Sequence, residues 1–171
     1  MSEAAQDDAQ LQDVFTKETL IGDARRIAET PCIVQESDDL RTVADAFSHE
    51  RHVHIAAVVD ESGRLVGIIP LRLLVDELFF QVAPEEFLQE ILDPDRIEQF
   101  GRIAHARTAG ELMEEPVSVT VEESIGDAFG RMHDHNLEGL PIVDVDNQPV
   151  GYLDRLELVK VWLQQHQQQS G

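Results

Sequence analysis

The sequence predicts an α+β protein in which two strand–helix–strand–strand–helix repeats pack pseudo-symmetrically, with a helical insertion between them. Three observations lead there. The stretches VGIIPLRLL (Val66 to Leu74) and VGYLDRLEL (Val150 to Leu158) share one design at an offset of 84 positions. The interval from Val59-Asp60 to Val66-Gly67 recurs from Val143-Asp144 to Val150-Gly151. Ahead of each interval lies a segment with apolar residues at helical spacing, so self-similarity extends over about fifty residues.

Each repeat opens on a proline and a short β-prone run, Pro31-Cys32-Ile33-Val34 and Pro116-Val117-Ser118-Val119. A helix follows, with Leu40, Val43, Ala44 and Phe47 on one stripe and Ile125, Ala128, Phe129 and Met132 on the other. Ser37 is the expected N-cap of the first helix, and Glu122 and Glu123 suit the positive end of the second. Next come two β-rich runs joined by a turn. Gly63 marks that turn in the first copy, and Asp146-Asn147 in the second. A second helix closes each unit, and Pro70 is suited to begin the one in the first copy. Continuous apolar strands such as IAAVV (Ile55 to Val59) call for burial on both faces. A unit of this size leaves too much apolar surface exposed on its own, so the two should pack sheet to sheet.

The organisation read from the chain is an N-terminal acidic segment and lead-in helix over 1–27, a first repeat over 28–78, a helical insertion over 79–110, a second repeat over 111–165 and a polar tail over 166–171. Within the insertion, Pro84 suits a helix start, Asp93-Pro94 a break, and a further helix reaches about His105. Thr108 and Glu111 have the spacing of a capping box.

Composition narrows the function. Thirty-four acidic residues against 13 basic give a net charge of −21. Such a chain repels nucleic-acid phosphates and anionic membranes, since nucleic-acid affinity rests on Lys and Arg. No stretch of 18 apolar residues offers a membrane span, and the N-terminus lacks the plan of a signal peptide. The single Cys32 cannot form an internal disulfide, and a cytoplasmic location is the expectation. Catalytic signatures are missing: no GxSxG, no P-loop and no dinucleotide fingerprint. Six histidines (His49, His52, His54, His105, His133 and His135) invite a metal reading, but flanking pairs near helix ends are more simply polar end residues.

The paired repeats, with GLPIVD (Gly139 to Asp144) and VGYL (Val150 to Leu153) as the sharpest segment, resemble a cystathionine-β-synthase (CBS) domain pair over roughly residues 28 to 165. The resemblance is strong in the second copy and fair in the first, which lacks the Gly and Pro of GLPIVD. It implies a non-catalytic regulatory module that binds an adenosine-type ligand (AMP, adenosine or S-adenosylmethionine) and forms a homodimer. The family's pattern after the last strand has a hydroxyl residue facing phosphate and a carboxylate, three positions on, facing the ribose hydroxyls. The first copy carries Pro70 and Leu73 at those positions, which leaves only Arg72 to meet a phosphate, so the first copy is expected not to hold a nucleotide in the family manner. The second carries Asp154 and Glu157. Two like charges ~4 Å apart repel by about 1 kcal/mol in water and about 4 kcal/mol at an effective dielectric of 20, so Asp154 disfavours phosphate. The ligand-binding residues expected by resemblance are Ser118, Gly139, Leu140, Pro141, Asp154, Arg155 and Glu157, with Arg72 in the first copy. Two alternatives stay open: a ligand-free module that binds itself or an unidentified protein partner, and a divalent-cation sensor on the acidic surface.

Overall fold

The computed structural model describes residues 15–24, 27–82 and 106–168 of the chain. The readings of Pro84, Asp93-Pro94 and the helix reaching His105 lie outside the described residues. In order, the elements are β1 (Ala28–Glu29), β2 (Cys32–Gln35), α1 (Leu40–His49), β3 (Ile55–Val59), β4 (Leu65–Pro70), α2 (Leu71–Val82), α3 (Ala109–Leu112), β5 (Val119–Thr120), α4 (Ile125–Asp134), β6 (Gly139–Val143), β7 (Pro149–Asp154) and α5 (Arg155–Gln168).

The two repeats are built alike. In the first, β2 runs parallel to β3 and β3 antiparallel to β4; in the second, β5 runs parallel to β6 and β6 antiparallel to β7. Both hairpins carry a register shift at the same place, between Val58 and Val59 and between Ile142 and Val143. The equal Val-Asp to Val-Gly spacing therefore encodes a shared irregularity as well as a shared turn. In those turns Asp60 Oδ1 accepts the Ser62 and Arg64 N–H groups, and Asp144 Oδ1 accepts those of Asp146 and Gln148. Gly63 and Asn147 take the left-handed backbone such turns require, at φ 82° and 60°.

The central strands β3 and β6 are buried at every position and touch one another, as the unbroken apolar runs demanded. The hairpin tips also join: Leu65 N–H donates to the Asn147 carbonyl (2.9 Å), and the Asn147 amide returns a bond to the Leu65 carbonyl (3.1 Å).

What precedes each repeat packs on the other one. β1 pairs antiparallel with β7, matching Ala28 with Leu153 and Glu29 with Tyr152. Reciprocally, Glu114 and Ile68 exchange backbone hydrogen bonds of 2.8 and 3.2 Å. Residues 17–22 bond to the start of α4, and Ala109 and Gly110 bond to the loop before α1. With both lead-ins exchanged, neither repeat can complete its own sheet and helix ends alone.

Several expectations need correction. The N-cap of α1 is Asp39, whose Oδ1 accepts the Thr42 N–H at 2.8 Å, and not Ser37. Asp38 Oδ2 takes the Gln35 N–H at 2.8 Å, which fixes the turn and leaves Asp39 next to the first helical residue. In α4 the cap is Ser124, in a capping box with Asp127. Glu123 instead bridges the turn to Arg131, whose guanidinium holds its carboxyl below the usual range. Thr108 caps α3 as read, but Glu111 turns to the Arg107 N–H (2.6 Å). Strand structure after Pro116 shrinks to Val119–Thr120. The described part of the lead-in includes a 3-10 turn, Ile21–Asp23, and most of the segment read as a lead-in helix lies outside the described residues. Helix α2 runs to Val82, and Pro70 ends β4 with the helix starting one residue later. Phe129 of the apolar stripe is 43% exposed, with the Arg155 guanidinium 5.8 Å over its ring. Cys32 is buried, and burial pushes its thiol up to about 11.

Candidate functional site

The repeated turn leads from the last strand of each repeat into its closing helix. The backbone treats both copies alike. Leu71 N–H donates to the His54 carbonyl at 2.8 Å, and Arg155 N–H donates to the Glu138 carbonyl at 2.7 Å. Strand register places Ile55 opposite Pro70 and Gly139 opposite Asp154. His54 and Glu138 are thus equivalent positions in the two repeats, each immediately ahead of a central strand. The side chains then make the two copies different.

At the first copy the turn opens on a cavity of about 420 Å³. Its walls are His54 and Ile55 at the start of β3, Pro70 to Arg72 with Val75 and Asp76 along α2, and Asn136 to Glu138 of the second repeat. The last three residues owe their position to the end of α4. Asn136 adopts left-handed backbone at φ 51°; its N–H meets the His133 carbonyl (3.2 Å), and Leu137 N–H meets that of Met132 (2.8 Å). This is a Schellman closure, in which Asn stands where Gly is commonest. It turns Glu138 back across the interface toward the first copy.

The resulting chamber has an apolar body, from Ile55, Leu71, Val75 and Leu137, and ionisable or cationic groups at His54, Arg72, Asp76 and Glu138. Leu73 supplies no carboxylate, as the sequence implied, but Asp76 stands one turn further along α2 on the cavity wall. Neither Asp76 nor Glu138 was singled out from the sequence. Helical periodicity could have flagged Asp76, and alignment of the repeats could have paired Glu138 with His54.

At the second copy Asp154 is enclosed, with 8% of its side chain exposed. Oδ1 accepts the Leu156 N–H at 2.8 Å. Oδ2 accepts the Tyr152 hydroxyl at 3.0 Å and lies 3.0 Å from His54 Nδ1, which carries the proton in this contact because a carboxylate only accepts. The same tyrosine oxygen accepts the His54 backbone N–H at 3.2 Å. Burial raises the Tyr152 phenol well above its ordinary range. Gly139 makes room for that ring: a Cβ there would collide with the hydroxyl and lie 2.6 Å from Cε2. Beyond the network Glu157 pairs with Lys160 at 2.6 Å, which holds the lysine ammonium above its usual value. Glu29 from β1 has its carboxyl raised, first by desolvation, then by the charges of Asp154 and Glu157 against the opposing pull of His52 and Lys160.

The fold therefore gathers Gly139, Asp154, Glu157 and the backbone of Arg155 at one turn, with Leu140 and Pro141 buried in β6 beside them. The Arg155 guanidinium points at Phe129. Ser118 precedes β5, where its carbonyl takes an Arg131 Nη1 bond of 2.5 Å. Arg72 stands apart, at the first-copy cavity. Sequence reasoning missed the roles of His54, taken for a polar helix-end residue, and of Tyr152, read only as part of the VGYL segment. The strand alternation that puts Tyr152 and Asp154 on one face was available. The cross-repeat partner was not. Among the described residues, no group of three or more His, Cys, Asp or Glu is placed to hold a metal ion. Nor is any described helix long and apolar enough to cross a membrane.

Comparison with known proteins agrees with this architecture. The CBS domain family model matches residues 21–79 and 109–163, more than half of the chain. No curated protein matches it by sequence. Among solved structures, a CBS domain-containing protein from Thermotoga maritima superposes with a TM-score of 0.65 at 23% identity, over 84% of this chain and 94% of the other. The CBS-pair protein CBSX2 of Arabidopsis thaliana, solved in complex with AMP, gives 0.60 at 22% identity, over 85% and 96%. The CBS domain pair of protein MJ0100, solved with 5′-methylthioadenosine and S-adenosyl-L-methionine, gives 0.61 at 19% identity, over 86% and 98%. With two matched repeats and a shared fold, the chain belongs to the CBS-domain family.

Proposed function

We propose that this protein is a non-catalytic regulatory module that takes an adenosine-type ligand in the cleft between its repeats, at the first-copy turn. The observation that carries the reading is the 420 Å³ cavity bounded by both repeats. That volume falls in the range of small-molecule sites, about 300–1,000 Å³, and an apolar chamber with a few convergent polar groups is their usual character. The adenine ring would lie against Ile55, Leu71, Val75 and Leu137. Asp76 and Glu138 are acceptors suited to ribose hydroxyls, and Arg72 is the cation for a phosphate. Two of the solved relatives hold AMP, or methylthioadenosine and S-adenosylmethionine, which supports an adenosine class of ligand. With two carboxylates on the walls and a net charge of −21, adenosine, AMP and S-adenosylmethionine are favoured over ATP. Ligation at Asp154 and Glu157, the placement drawn from the sequence, competes poorly because Asp154 already has three donors.

The same reading includes a homodimer. Leu156, Val159, Trp162 and Leu163 expose an apolar face on α5, beside a groove of about 510 Å³ reaching Phe129 and Ile125. Sedimentation giving a 19.2 kDa species at micromolar concentration would remove that part.

A thermal-shift panel of AMP, ADP, ATP, adenosine and S-adenosylmethionine tests the ligand. At a hundredfold excess over the dissociation constant, binding adds about 2.7 kcal/mol. For a chain of this length that corresponds to roughly 5–10 °C. A rise with AMP or adenosine is expected, larger than with ATP. A flat panel would sink the reading and leave the ligand-free interaction module in its place.

A further inference from the structure

We propose that His54 and Asp154 form a relay that carries occupancy of the first-copy cavity to helix α5 of the opposite repeat. The inference rests on the ligand reading above and deepens it. His54 belongs to two places at once. Its ring lines the cavity and its side chain is 47% exposed, yet Nδ1 reaches 3.0 Å to the enclosed Asp154 Oδ2, a hundred residues on in the chain. Its backbone is pinned on both sides, the carbonyl by the first N–H of α2 and the N–H by Tyr152. What remains free to respond is the imidazole.

From Asp154 the path continues into α5. The other carboxylate oxygen accepts the Leu156 N–H, one of the first-turn amides that have no partner within the helix. A second strand of the same path runs in parallel: Glu138 lines the cavity, and its carbonyl accepts the Arg155 N–H. Two wall residues of one cavity thus hold the start of one helix. The helix so held is the one that exposes Leu156, Val159, Trp162 and Leu163.

The pseudo-symmetric counterpart of Asp154 is Pro70, which can accept no side-chain bond, so the connection runs one way only. This asymmetry accounts for the unlike residues at the repeated turn. The first turn borders the ligand chamber, and the second transmits. A ligand seated against the imidazole competes with Asp154 for its N–H, and Asp154 then shifts its hold on the first turn of α5. The differential contact that any ligand-driven shift requires is supplied at this one ring.

The chain carries a built-in reporter, because its one tryptophan, Trp162, lies on α5. AMP is titrated into the full chain, with binding followed by calorimetry and α5 by tryptophan emission excited selectively. In the wild type, emission should change along the calorimetric isotherm. Asp154→Asn keeps an oxygen for Leu156 but presents an amide to His54. Its affinity for AMP should hold or rise, because Asp154 no longer competes for the imidazole N–H. Its emission response to saturating AMP should be largely lost. In parallel, ¹⁵N spectra of the wild-type histidines should show His54 Nδ1 moving with AMP along the same isotherm, a readout independent of whether the variant folds. Binding with silent Trp162 emission, a full response in Asp154→Asn, or an unmoved His54 Nδ1 would each overturn the relay and leave the ligand reading standing. Wild-type protein with neither heat nor emission change toward AMP or adenosine would overturn the ligand reading, and the relay with it.

Discussion

Gly139→Ala should destabilise the protein by about 2–4 kcal/mol, combining overpacking with loss of buried hydrogen bonds. In a chain of 171 residues that lowers the melting temperature by roughly 5–15 °C. The added methyl meets the Tyr152 ring, whose hydroxyl, Cζ and Cε2 all lie inside contact distance of where it would sit. The ring cannot yield without breaking its hydroxyl bonds to Asp154 and to the His54 N–H, because it is fully buried at the interface of the two repeats. Steric and polar penalties therefore arrive together. Strand geometry is not the cause, since Gly139 is not among the residues with positive φ. Urea or thermal unfolding checks the magnitude, and a loss under about 1 kcal/mol would show that the ring moves aside freely. A double-mutant cycle checks the cause. Tyr152→Leu removes the obstructing atoms, so adding Gly139→Ala to it should cost far less than in the wild type.

The second large effect concerns ligand selection. Arg72→Ala should weaken AMP binding by about 10–100-fold, the worth of a charge-assisted hydrogen bond to phosphate. Adenosine, which lacks the phosphate, should bind the variant almost as well as the wild type. Arg72 is exposed on the first turn of α2, so its removal leaves the fold intact and the comparison clean. Glu157→Ala serves as the opposing control. If the ligand lay at the second turn, that carboxylate would hold the ribose and its loss would abolish binding of AMP and adenosine alike. The structure has Glu157 paired with Lys160 instead, and little change is expected. Equal losses of AMP and adenosine in Arg72→Ala would contradict the assigned role.

Much of the fold was written in short-range pattern. The 84-residue offset, the recurring Val-Asp to Val-Gly interval and the helix stripes specified two like units. The unbroken apolar runs specified that their central strands meet. These signals are local, and local periodicity survives in a single sequence. The misread features depend on tertiary choice. Ser37 and Asp39 are both good caps, and the Asp38 turn decides between them. The lead-in exchange rests on stretches as short as Ala28–Glu29, too brief for any periodic signal.

The candidate site was harder still. The turn was found, and its departures at Pro70, Leu73, Asp154 and Glu157 were visible. Their meaning required knowing that His54 reaches across from the other repeat to Asp154, a contact spanning a hundred positions. Read alone, Asp154 is a carboxylate displaced into a phosphate position. Joined to His54 and Tyr152, it is an enclosed acceptor that already holds three partners. Likewise Leu73 reads as a lost ribose contact until α2 brings Asp76 to the same chamber.

A crystal structure of the protein grown with AMP tests whether the ligand sits at the first-copy turn. Adenine is expected against Ile55 and Leu137, phosphate toward Arg72, and ribose within hydrogen-bond reach of Asp76 or Glu138. Density for AMP beside Glu157, with Asp154 drawn away from His54, would place the ligand at the second turn instead.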